Sequence, residues 1–174
     1  MTTASAHIYE LPIYMTSTTP LAGVAELYER HYETVFRAAL RVTGNPADAE
    51  DVLQTVFVRV LARGGDVEDV ALPAAYFRRA AVNAAVDVLR RRELRAESAP
   101  DDQALHARQP PLLLKEQLRR AIAALGGDDA TLFLLRHVEG LSIEELAGMF
   151  EMEKNNVTVR LHRIRQRLQA EMER

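Results

Sequence analysis

Residues 142–168, SIEELAGMFEMEKNNVTVRLHRIRQRL, constrain this chain more than any other stretch. Ser142 and Glu145 have the S-x-x-E spacing of a capping box, in which each side chain accepts from the other residue's backbone N–H at a helix start. Val157, Leu161, Ile164 and Leu168 recur at helical spacing and give a second helix one apolar seam. Only a tight turn fits between the two. A pair of short helices joined in this way, the second with a basic face, has the layout of a helix-turn-helix. One helix of such a motif lies on the DNA backbone and the next enters the major groove. Arg160, Arg163 and Arg167 recur at i, i+3, i+7, off the apolar seam. A solvated helix face looks the same in isolation; the capped helix and turn in front of it favour DNA. Arg pairs bidentately with guanine edges and Asn with adenine. Asn155, Asn156, Thr158, Val159, Arg160, His162 and Arg163 occupy the first turns, where a recognition helix meets bases.

The net charge of −3 argues at first against nucleic acid. Its distribution reverses that argument. Residues 76–95 hold six Arg against Asp87 and Glu93, and residues 154–174 hold Lys154 and five Arg against Glu171 and Glu173. Residues 48–69 hold six acids against Arg59 and Arg63. Such a chain can bind DNA with some faces and a basic protein with another. There is no cysteine, so disulfides and thiolate metal sites are excluded; a reducing, cytoplasmic location fits. No apolar run approaches the ~20 residues of a membrane span.

In chain order, residues 1–20 lack periodicity and the features of a secretory signal, and read as a loosely ordered tail. Leu21, Val24, Tyr28, Tyr32, Val35 and Phe36 mark an amphipathic helix over 21–43, stopped at Gly44. Asn45 then serves as N-cap and Pro46 as first helical residue. Val52, Leu53, Val56, Phe57, Val60 and Leu61 form a core stripe, with Asp48, Asp51, Gln54 and Thr55 facing away. Residues 63–74 read as a loop. A third helix, 75–95, has Phe77, Ala80, Ala81, Ala84, Val88 and Leu89 inside. It leaves Arg78, Arg79, Asn83, Arg90, Arg91 and Arg92 for solvent or a partner. The prolines and acids of 96–111 indicate a flexible linker. Beyond it, Leu114, Leu118, Ile122 and Leu125 mark a helix ended at Gly126-Gly127. Asp128 can cap the next, with Leu132, Phe133 and Leu135 inside and Gly140 as stop. No strand pattern occurs. The chain reads as all-α, in two small helical domains: 21–95 and 112–174.

Each candidate site has a plainer reading. Arg90–Arg92 also suit a helix C-terminus, whose dipole favours cations. Asn83, within an Ala/Val-rich stretch, is either a satisfied core amide or a donor to an unstacked base. The acids at 48–54 also suit a solvated helix start. The five His have no metal-ligand spacing. No phosphate loop and no nucleophile–base set occurs, so the sequence supports no catalysis, metal or cofactor.

Taken together, DAEDVLQTVFVRVL (48–61), AYFRRAAVNAAVDVLRRR (75–92) and VEGLSIEELAGMF with VTVRLHRIRQRL resemble the region 2 and region 4 segments of an extracytoplasmic-function (ECF) sigma factor of the sigma-70 family. The resemblance implies a transcription initiation factor. Asp48, Asp51 and Gln54 would meet the β′ clamp helices of core RNA polymerase, with Phe57 acting from the core. Tyr76, Arg78, Arg79, Asn83, Arg90, Arg91 and Arg92 would face the −10 element of promoter DNA. Asn155, Asn156, Thr158, Val159, Arg160, His162 and Arg163 would face the −35 element, with that domain resting against the β flap. An anti-sigma factor is a further partner that the resemblance brings. The chain departs from the family where L-G-I-S-x-G-T-V is usual: Glu151 replaces the turn Gly, Glu153 the capping Ser, and Thr158 the first basic position. Tyr76 replaces the usual Trp. Two alternatives remain: a sigma mimic that sequesters an anti-sigma factor, and a helix-turn-helix repressor. The first would have lost its basic surfaces, and the second leaves DAEDVLQTVF unexplained.

Overall fold

Seven helices and no strand make up the described residues of the computed structural model, 20–63, 73–97 and 110–173. They are α1 (Pro20–Thr43), α2 (Pro46–Ala62), α3 (Pro73–Glu97), α4 (Pro110–Ala124), α5 (Gly127–His137), α6 (Ile143–Met149) and α7 (Lys154–Met172). The expected tail, most of the 63–74 loop, most of the 96–111 linker and the Leu21 side chain lie outside the described residues. Two helices extend beyond their expected ends. Pro73 opens α3 and Pro110 opens α4, because a first-turn proline lacks only an N–H that has no helical partner there.

Helices α1, α2 and α3 pack on one another around Val35, Val52, Val56, Val60, Phe77, Val82 and Val86, all essentially inaccessible. Asn45 caps α2 as expected, accepting from the N–H of Ala47 at 2.9 Å. The core face of α1 differs from the expected one. Tyr28 and Tyr32 stand 42% and 47% exposed, stacked with centroids 5.8 Å apart. Leu27, His31, Val35, Ala38 and Val42 turn inward instead. The inner stripe is thus rotated by one residue toward smaller side chains, and the tyrosines keep their hydroxyl ends in water. His31 stacks on Phe77 at 4.3 Å, and its burial, with Arg30 beside it, holds the imidazole below its usual pKa. Leu61, Leu114 and Leu118 are also more exposed than expected; Val60, Ala121 and Ile122 occupy the inward positions.

The second half assembles around Leu132, Leu135, Leu146, Val157 and Ile164. Ser142 and Glu145 form the expected reciprocal capping box, at 3.1 and 2.7 Å. Asp128 is not a cap. Helix α5 begins at Gly127, Gly126 stands at the cap position, and Asp128 and Asp129 both fall in the first turn. Between α6 and α7, Glu151 adopts φ 53°, the left-handed conformation that its Cβ disfavours. The N–H of Met152 still reaches the carbonyl of Ala147 at 2.9 Å, so the turn closes despite the residue. Glu153 at the α7 N-cap makes no side-chain hydrogen bond. Glu151→Gly is therefore expected to stabilise the chain by about 1 kcal/mol, the left-handed penalty of an L side chain. It should raise the urea midpoint of the wild-type fold, whereas Gly148→Ala at a helical position makes a neutral-φ comparison.

The two halves share one buried cluster, because α3 packs on α4 and α5. The guanidinium of Arg90 donates to the carbonyls of Ala123 at 3.2 Å and Leu125 at 2.5 Å, closing the C-terminal end of α4. Arg41 pairs with the nearly inaccessible Glu139 carboxylate at 3.0 Å. Arg119 of α4 lies over Gly44, whose φ of 66° and lack of a side chain leave it room.

Candidate nucleic-acid interface

Three surfaces carry the residues singled out from the sequence. On α2, Asp51 and Gln54 are exposed and share an open groove of about 600 Å³ with Val58 and Arg91. Asp48 is drawn inward. Its carboxylate is mostly covered and pairs with Arg92 at 2.5 Å. An acid expected to face one partner and a base expected to face another thus neutralise each other across the α2–α3 seam.

The second surface is the groove between α2 and α3. Tyr76, Arg79 and Asn83 line it together, along with Arg59 of α2 and Arg63 at its C-cap, around a volume of about 320 Å³. Arg59 and Arg63 were not among the sequence candidates. They lie four residues apart, Arg59 on the last turns of α2 and Arg63 at its C-cap, and that spacing was the available signal. Arg63 donates to the Tyr76 hydroxyl at 3.1 Å and so fixes the ring edge-on to Phe77. An aromatic ring, an amide and three guanidiniums suit an unstacked base and its flanking phosphates.

The rest of the α3 set does not converge there. Arg90 caps α4, Arg92 pairs with Asp48, and Arg91 faces the acidic groove. Arg78 lies near Glu145, whose carboxyl is held below its usual range chiefly by hydrogen bonds at Ser142 and slightly by that guanidinium.

The α2–α3 groove is also partly covered by the second half of the chain. The Thr131 hydroxyl donates to the Asn83 side-chain oxygen. Arg79 donates to the carbonyl of Met149 at 2.5 Å and lies 4.4 Å over the Phe150 ring. Asn83 is therefore neither a core amide nor an open donor; its partner belongs to α5.

The third surface is α7, and it is uncovered. Asn155, Asn156, Thr158, Val159, His162 and Arg163 are all exposed at its N-terminal half. Thr158 hydrogen-bonds back to the Lys154 carbonyl at 3.1 Å, which leaves its methyl group outward. Arg160 is half-buried and ion-paired to Asp129 at 2.7 Å, and Arg167 reaches the other oxygen of the same carboxylate at 2.9 Å. With Asn156, Val159 and Arg163 they line a groove of about 480 Å³. Asp129 was not a sequence candidate, since nothing in its spacing links it to residues thirty positions away. Among the described residues no helix is long and apolar enough to cross a membrane.

Comparison with known proteins covers both halves of the chain. The sigma-70 region 2 family model matches residues 27–95, and the sigma-70 region 4 model matches residues 115–168. The chain is 32% identical over 154 residues to the RNA polymerase sigma-E factor of Streptomyces avermitilis, covering 85% of this chain and 84% of that protein. It is 30% identical over 152 residues to the ECF RNA polymerase sigma factor SigE of Mycolicibacterium smegmatis, covering 82% of this chain and 59% of that one. A solved structure of the sigma factor RpoE in complex with the anti-sigma factor NepR from Bartonella quintana overlaps 86% of this chain and 96% of that one, with a TM-score of 0.49 at 16% identity.

Proposed function

Because this chain belongs to the sigma-70 family, as a transcription initiation factor of the ECF type that serves core RNA polymerase at promoter DNA, we propose that its two halves divide the promoter between them. Helices α1–α3 take the −10 element, with Tyr76, Arg79 and Asn83 receiving an unstacked base and Arg59 and Arg63 its backbone. Helix α7 enters the major groove at −35, led by Asn155, Asn156, Val159, His162 and Arg163. Asp51, Gln54 and Asp48 face the basic β′ clamp helices of the polymerase, and the second half rests on the β flap. The protein works in the cytoplasm without a catalytic group of its own. An anti-sigma factor that competes for these faces is a further expected partner.

The observation that carries this reading is the α2–α3 groove, which gathers an aromatic ring, an amide and three guanidiniums in one place. Flipping a base costs a few kcal/mol, and such a groove repays it by stacking and hydrogen bonding. Each half alone is a weak binder; the shared polymerase makes the second contact effectively intramolecular. Because Thr131 holds the Asn83 amide and Met149 and Phe150 hold the Arg79 guanidinium, freeing these groups for the −10 element requires the two halves to part.

Run-off transcription with core polymerase and mapped start sites tests the reading. Start-site-specific transcripts are expected with polymerase, and poor duplex binding by the chain alone. Operator-specific binding without polymerase would instead establish a repressor. Absence of transcription with tight binding to an anti-sigma protein would establish a mimic.

A further inference from the structure

The two oxygens of Asp129 hold two arginines of the α7 basic face, Arg160 through Nε at 2.7 Å and Arg167 through a terminal nitrogen at 2.9 Å. We propose that Asp129 is the positioning residue of the −35 contact, setting how selectively α7 reads DNA. This deepens the reading given above and rests on it.

The argument begins with the row itself. Arg160, Arg163 and Arg167 share one face and one groove, and without Asp129 they would form a cluster of three positive charges. Long mobile guanidiniums of that kind pair with any phosphate, and attraction to phosphate carries no sequence information. Asp129 changes two things. Its charge reduces the cluster by one unit. Its bidentate grip also fixes two of the three side chains against the body of the domain.

The carboxylate is placed to do this. It lies in the first turn of α5, on a rigid helix, and its side chain is only 19% exposed, so water competes weakly for it. Arg160 is braced from a second side by the Met152 sulfur at 3.6 Å. Each guanidinium has five N–H donors and gives Asp129 only one nitrogen. Arg167 keeps its Nε–Nη2 edge in a fixed orientation, which bidentate reading of a base edge requires, and Arg160 keeps its second terminal nitrogen. Arg163, which forms no ion pair among the described residues, stands between them as the free contact.

The test uses the full chain with core polymerase on two templates: the promoter found by start-site mapping, and the same promoter with its −35 element scrambled. Binding is measured across a salt series for the wild type, Asp129→Asn and Asp129→Glu. For Asp129→Asn, binding to the scrambled template should tighten and the preference for the intact template should fall about tenfold, the value of a lost bidentate contact. The salt dependence should steepen by about 0.9 for each additional phosphate neutralised. Asp129→Glu, which keeps a carboxylate within reach, should restore most of the preference. Unchanged preference and slope in Asp129→Asn would overturn the proposal. So would equal weakening on both templates without rescue by Asp129→Glu, since that is the signature of a structural brace alone. A wild-type holoenzyme indifferent to scrambling would overturn the placement of α7 at −35, and the role of Asp129 with it; that outcome is read before any variant is compared.

Discussion

Asn83→Ala is expected to reduce promoter opening by tenfold or more while leaving affinity for core polymerase unchanged. The amide is on α3, in the groove with Tyr76 and Arg79, and away from Asp51 and Gln54. A lost base contact of ~1–3 kcal/mol gives a reduction of that size. Permanganate reactivity of unpaired thymines around −10 measures opening, and competition for core polymerase measures binding. The structure supplies an opposite variant. Thr131→Val keeps the volume of the side chain but removes the hydroxyl that donates to Asn83. The amide oxygen is then left without its partner in the closed arrangement, a cost of about 1 kcal/mol that shifts the balance roughly fivefold toward parted halves. Opening should be unimpaired or faster in Thr131→Val. If both variants lose opening equally, the Asn83–Thr131 contact is a structural strut and the amide does not meet DNA.

The second large effect is on stability. Phe77→Ala should cost about 3–5 kcal/mol, the usual range for emptying a buried aromatic site. Phe77 is fully inaccessible and holds three neighbours: His31 at 4.3 Å, Phe57 at 5.4 Å and Tyr76 at 5.4 Å between centroids. Whole domains are stable by only ~5–15 kcal/mol, so much of the α1–α3 half should be unfolded near its working temperature. Urea unfolding followed by far-UV circular dichroism reads this directly. Phe77→Leu, which fills most of the volume, should recover more than half of the loss. A midpoint shift in Phe77→Ala no larger than in a surface variant such as Gln54→Ala would show that this aromatic stack does not hold the first half together.

Most of the architecture is legible in the sequence because periodicity and caps are local signals. Asn45-Pro46, the Ser142/Glu145 box and the seam Val157–Leu161–Ile164–Leu168 each declare a helix without help from distant residues. The inward face of α1 is not legible in the same way. Tyr28 and Tyr32 count as apolar by composition, while their hydroxyl ends favour water; only the facing helices decide which stripe goes inward. The candidate site is legible in part. Residue types mark Tyr76, Arg79, Asn83 and the α7 face. Pairing across long separations does not show. Arg90 caps a helix thirty-three residues on, Thr131 answers Asn83 across forty-eight, and Asp129 collects two arginines from α7. Such partners are set by packing between helices, which no single-helix pattern contains.

On the resemblance-based assignment of Asp48 to the polymerase and Arg92 to promoter DNA, the Asp48–Arg92 pair would tie two binding events into one equilibrium. While the pair is closed, neither charge is fully offered outward. A basic surface that draws Asp48 away releases Arg92 toward phosphate, and a phosphate that captures Arg92 releases Asp48 toward that basic surface. Linkage of this kind is reciprocal by thermodynamic necessity: whatever factor the polymerase adds to DNA affinity, DNA adds to polymerase affinity. A single ion pair at the α2–α3 seam can in this way make the free chain a poor ligand for either partner and a better one for both together.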